Sequence, residues 1–214
     1  MNLWQITIQI VQVLYNLVGI FLILGVYIGL KQLKLMKKDQ YDKNKRIAVE
    51  KSLEYLNFFA TNFIPNVSKY TSDLNKEITD YEDTKHLFDG TFFLHLDTLP
   101  KGIIAETIIR EKYGCLNLFN QLEFFSVAVL NGVMDEDIVF TPLSGAIVKF
   151  VESEHVAISL LRSKGAPYKN LLKLYRKWKT RMEVEELELQ KQIAEHKIKE
   201  KGTDHKSTTP IGFN

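Results

Sequence analysis

The chain has 214 residues, room for one domain or for one domain with an appendage. Hydrophobic residues make up 45% and charged residues 25%, a globular balance that excludes a wholly disordered chain, while 11 glycines and 5 prolines are too few for a fibrous or linker-rich one. A single cysteine excludes an intramolecular disulfide framework, and a net charge of +2 gives no electrostatic case for binding nucleic acid.

Met1 to Leu30 contains no charged residue at all. Its polar side chains, Gln5, Thr7, Gln9, Gln12 and Asn16, fall in the first half. About 20 predominantly apolar helical residues cross the hydrocarbon of a bilayer, so this stretch is long enough. Trp4 and Tyr27, aromatic types that favour the headgroup level, lie near its ends. A cleavable signal would carry a basic start and a small-residue cleavage site, and neither is present. The basic residues follow instead: Lys31, Lys34, Lys37, Lys38, Lys43, Lys45 and Arg46. The positive-inside rule then predicts a single-pass anchor in the plasma membrane, with the N-terminus outside and the C-terminal domain cytoplasmic. The lone cysteine fits that reducing compartment. Lys31, Lys34, Lys37 and Lys38 also stand where anionic lipid headgroups attract bases at about 1 kcal/mol each, although setting topology accounts for them already.

The expected divisions are an anchor at 1–30, a basic juxtamembrane segment at 31–46, a helical domain at 47–200 and a disordered tail at 201–214. The domain reads as all-α, a small bundle with a long C-terminal helix. Ala48, Tyr55, Phe59 and Phe63, with Val49, Leu53, Leu56 and Ala60, mark the wide apolar face of a helix predicted to end before Pro65. A second helix is expected over 67–87, with six acids and two lysines between Asp73 and Asp89 forming a solvated face. Residues 88–102 carry the turn signals Asp89-Gly90 and Leu99-Pro100-Lys101-Gly102 and read as helix or irregular structure. A further helix is expected over 103–113, with Gly114 at its end.

Between Gly114 and Met134 the only charged residue is Glu123. A second membrane span is disfavoured, because a central carboxylate costs about 3 kcal/mol there. The segment reads instead as the buried central helix of the bundle, closed by Asn131-Gly132. Asp135, Glu136 and Asp137 suit the first turn of the next helix, and Thr141-Pro142 repeats a start signal. Apolar spacing from Leu143 to Leu161 continues a helix toward Gly165. Leu171, Leu174, Tyr175, Trp178 and Met182 stripe the last one, which thins to Leu187, Leu189 and Ile193 among charges.

Leu116-Asn117-Leu-Phe-Asn-Gln-Leu-Glu123, followed by Gly132-Val-Met-Asp135-Glu-Asp-Ile138, resembles the core helix and following turn of a bacterial family of unknown function. That family combines one N-terminal membrane helix with a small cytoplasmic helical domain, and Asn120 and Glu123 match its polar pair. The resemblance implies the architecture and brings no activity with it.

Motifs that carry chemistry are scarce. No zinc-protease, phosphate-loop, dinucleotide or nucleophile-elbow pattern occurs, and no cofactor is implied. Glu152-x-x-His155 puts a carboxylate and an imidazole on one helix face, but a di-iron bundle needs two such pairs and two more glutamates. Asp135, Glu136 and Asp137 are alternative ligands for a hard cation, although helix-start electrostatics explain them more simply. Glu123, with Asn120, is expected as a buried polar node partnered by Arg110 or Arg162, since a buried carboxylate must be paired or hydrogen-bonded. Residues 162–201 hold twelve Lys/Arg against six Glu, which reads as the wet side of an amphipathic helix, nucleic acid being the weaker reading.

The expected function is a membrane-anchored helical interaction or scaffold protein whose partners are the bilayer and either another protein or copies of itself. Two alternatives stand beside it. One is a membrane-tethered metal-dependent enzyme or effector acting on nucleotides or lipid phosphates. The other is a membrane-active toxin or phage-defence component, in which Gln5, Gln9, Gln12 and Asn16 line a helix contact.

Overall fold

The computed structural model describes residues 3–78, 90–94, 99–163, 165 and 167–202, with most side chains before Leu24 lying outside the described set. All regular structure among the described residues is helical. The chain forms two units, Met1–Glu50 and Lys51–Asn214.

The first unit is helical from Leu3 onward, as part of α1 (Leu3–Phe58). Its described apolar side chains, among them Phe21, Leu22, Val26, Tyr27 and Leu30, are exposed. So are Lys31, Lys34, Lys37 and Lys38. The expected anchor falls largely on side chains outside the described residues; among the described ones no helix is long and apolar enough to cross a membrane.

In the second unit, helix does not stop before Pro65 as the sequence suggests. A π-helical turn, Phe59–Phe63, joins α1 to α2 (Ile64–Glu77), and the Ile64 amide donates to the Phe59 carbonyl. Proline lacks the amide and crowds the carbonyl four residues back, and here a widened turn precedes it. Pro65 thus sits in the first turn of α2, where a missing N–H is harmless. The buried side of this run is Ser52, Phe59, Phe63, Tyr70 and Leu74, whereas Leu53 and Ala60 of the expected stripe are exposed. Helix α2 ends at Glu77; positions 79–87 of the helix expected to residue 87 lie outside the described residues.

Residues 90–94 are non-helical, and Phe92 is buried in the core with φ +56°, a conformation bulky residues rarely adopt. It is held from both ends. The ring packs edge-on against Tyr175, with centroids 5.3 Å apart, and the carbonyl accepts from Arg162 at 2.7 Å. Helix α3 (Lys101–Lys112) precedes Gly114, whose φ of +92° turns the chain into α4 (Cys115–Leu130). That helix ends as expected. The Gly132 amide bonds to the Val129 carbonyl and the Val133 amide to that of Ala128, a Schellman closure that needs the left-handed Gly132, φ +69°.

Helix α5 (Glu136–Ser153) runs straight through Thr141-Pro142, so the repeated start signal is not a start. At Glu154 the helix breaks, and α6 (His155–Ser163) follows, where the sequence suggests one continuous helix. Helix α7 (Lys169–Lys201) completes the domain. Its first half supplies Leu171, Leu174, Tyr175 and the fully buried Trp178 to a core shared chiefly with α4 and α5, while nearly everything beyond Met182 is exposed. The tail expected from residue 201 lies, from 203 on, outside the described residues.

Candidate functional site

Glu123 is half-buried on α4, and its partners are neither of the expected arginines. The carboxylate accepts from the Asn170 amide (3.2 Å), the Asn170 side-chain Nδ2 (2.8 Å) and the Leu171 amide (2.7 Å). These amides belong to the first turn of α7, which has no intrahelical acceptors and carries the positive end of the helix dipole. Tyr168, at the N-cap position, is left-handed with φ +37° and makes no side-chain cap. A carboxylate from another helix therefore does the capping. Asn120 is no part of this: it is exposed on the outer side of α4.

The arginine goes elsewhere. Arg110 of α3 donates to Glu154 at 2.7 Å, Tyr70 of α2 donates to the same carboxylate at 2.9 Å, and Glu106 flanks the guanidinium at 4.0 Å. Glu154 sits at the break between α5 and α6. Burial pulls the Arg110 guanidinium down, but Glu154 and Tyr70 outweigh it and hold its pKa above the ordinary value. Burial, then Glu154, pushes the Tyr70 hydroxyl well up. Cys115 is fully buried nearby, and burial, with Glu154 and Glu111 adding to it, raises its thiol to about 12. Such a thiol is packing, not a nucleophile.

A sequence signal for Glu154 existed. Ile147, Val151, Glu154 and Ile158 continue one apolar stripe, and a carboxylate at a core position asks for a partner. The Glu-x-x-His spacing drew attention to its neighbours instead.

Those neighbours do not form a metal pair. Glu152 accepts from Tyr175 (2.9 Å) and Lys179 (2.7 Å), while buried His155 donates from Nδ1 to the backbone carbonyl of Glu152 (2.8 Å). Asp135, Glu136 and Asp137 likewise diverge. Asp135 caps α5 through the Asp137 amide, and its own amide donates to Ser52 Oγ. Glu136 pairs with Lys177 and accepts from Trp178 Nε1 at 3.0 Å; Asp137 pairs with Arg181 at 2.8 Å. No group of three or more His, Cys, Asp or Glu among the described residues is placed to hold a metal ion. The basic face of α7 is thus answered by acids of α5 along one seam, and Arg181 lies 3.8 Å over the Phe140 ring.

An open groove lies between the end of α1 and α4. It has a volume of about 400 Å³ and is lined by Glu54, Tyr55, Phe58, Gln121 and Phe124. Phe124 is 72% exposed, on a helix the sequence suggests is buried nearly all round. Gln121 Oε1 is buried with no hydrogen-bond partner, which is costly unless something else supplies a donor.

Comparison with known families matches residues 54–178 to a domain of unknown function, DUF4760. The chain belongs to that family. The DUF4760 span holds the Tyr70–Glu154–Arg110 node, the Glu123 cap, Trp178 and every residue lining the groove. It leaves outside the uncharged N-terminal stretch and most of the exposed half of α7. No curated protein and no solved structure matches the chain significantly.

Proposed function

We propose that this chain is a single-pass membrane protein whose DUF4760 domain acts as a helical interaction module at the bilayer surface. The observation that carries the reading is the uncharged stretch Met1–Leu30 followed at once by Lys31, Lys34, Lys37 and Lys38. Exposed Phe21, Leu22, Val26 and Tyr27 support it, because so much apolar helix surface in one place calls for a cover, and lipid is the cover the charge pattern suits. Lys31 and its neighbours keep the following domain on the cytoplasmic side of the plasma membrane and rest against anionic headgroups.

Interaction is favoured over catalysis by where the charged groups go. Glu123 caps a helix, Glu154 anchors Arg110 and Tyr70, and the α5 acids answer α7 bases, so each is spent on holding the bundle together. Confinement to the surface raises the effective concentration of the domain for other membrane-bound chains. In-cell crosslinking and pull-down of the full chain, beside a version beginning at Lys31, tests this. The expected result is a discrete adduct that weakens sharply without residues 1–30. An undiminished adduct from the shorter chain would remove the membrane from the account, and no adduct from either would remove the interaction.

A further inference from the structure

Resting on the interaction reading above, we propose that the partner seated in the α1–α4 groove is a second copy of this chain, docked through Phe124 about a two-fold axis. A two-fold interface must be complementary to itself, which means that one face has to carry both the protruding group and the recess that receives it. This face does. Phe124 stands exposed at the border of the groove, and Tyr55, Phe58 and Gln121 line the recess beside it. Rotation of one copy onto another sends each Phe124 toward the other's Tyr55 and Phe58.

Charge selects the second copy over a charged partner. A two-fold axis brings like groups together, so a carboxylate or lysine face would meet its own charge. The exposed side of α4 presents Asn117, Asn120, Phe124, Val127 and Asn131, without a charge. Glu54, the one ionised residue among the described residues lining the groove, is already paired with Lys51 at 2.6 Å. Amides carry both donor and acceptor, and so pair with copies of themselves across such an axis. A neutral centre with an exposed aromatic anchor is the composition that interface cores favour.

The test uses the full chain in native membranes. Asn120→Cys places a thiol on this face, Thr180→Cys places one on the exposed side of α7, and native Cys115 is buried away from reagent. With a short bismaleimide, Asn120→Cys is expected to give a homodimer and Thr180→Cys none. Adding Phe124→Glu should lower the dimer yield at limiting expression by about tenfold or more, the size of an interface hot spot. Phe124→Leu should retain it, and neither substitution should move the unfolding midpoint measured on dilute, monomeric protein, since the ring is exposed there. An Asn120→Cys adduct of different mass overturns the second copy and leaves the interaction reading standing. A homodimer detected through lysine crosslinking but indifferent to Phe124→Glu overturns this face alone. Monomer under every reagent overturns both.

Discussion

A carboxyl group with 6% of its side chain exposed, such as that of Glu154, has lost its water and must be given donors in exchange. Arg110 and Tyr70 supply them from two other helices, which makes the node a three-way tie and a vulnerable one. Removing one partner strands the other, so Arg110→Ala should cost about 3–5 kcal/mol in chemical denaturation. The paired replacement Arg110→Met with Glu154→Leu should cost less than the single variant, because the most deeply buried charge goes with its partner, although Tyr70 then loses its acceptor and Glu106 its flanking cation. A loss under 1 kcal/mol for the single variant would show that the node is slack. Cys115 provides a second residue-scale expectation. Its thiol is held up from an ordinary 9.0 to about 12, mainly by burial. Between those values the unfolded chain has lost the proton and the folded chain keeps it, so raising the pH favours unfolding, by at most about 1.4 kcal/mol per pH unit. Tyr70 adds to the same trend above pH 10, since burial raises it too. Alkaline denaturation should therefore begin near pH 9, and Cys115→Ala should flatten its early part.

At the scale of elements, the helix types and most ends were legible because they follow from local chemistry. Gly114, Asn131-Gly132 and Asp135 mark boundaries through backbone conformation and capping, which neighbouring residues decide. The errors came where tertiary contacts overrule a local signal. Pro65 reads as a stop, yet a π turn precedes it and the helix continues; Pro142 reads as a start, yet it lies inside α5. Glu123 was legible as a polar residue in an apolar helix, but not its target, because the amides it caps lie on α7, 47 and 48 residues away. The strained Phe92 had no local signature at all. The Glu123 cap makes a prediction at this scale. Glu123→Ala should destabilise the domain by about 1–2 kcal/mol, as loss of a helix cap does. Hydrogen exchange should localise the effect, with the Asn170 and Leu171 amides losing protection before the rest of α7. Uniform loss along α7 would mean that Glu123 contributes packing and not capping.

At the scale of the whole molecule, a compact DUF4760 domain follows a stretch of thirty residues without a charge. The domain has its own hydrophobic core, centred on Phe119, Leu122, Phe125 and Trp178, whereas no charge occurs in the first thirty residues. In the proposed reading, their composition is what positions the domain. The central claim is thus that Met1–Leu30 holds the domain at a membrane, and alkaline carbonate extraction tests it most directly. Membranes from cells expressing the full chain, or the chain from Lys31 onward, are washed at high pH, which strips peripheral proteins and leaves integral ones in the pellet. The account predicts that the full chain stays with the pellet and the shorter chain is released. Release of the full chain into the supernatant would contradict it.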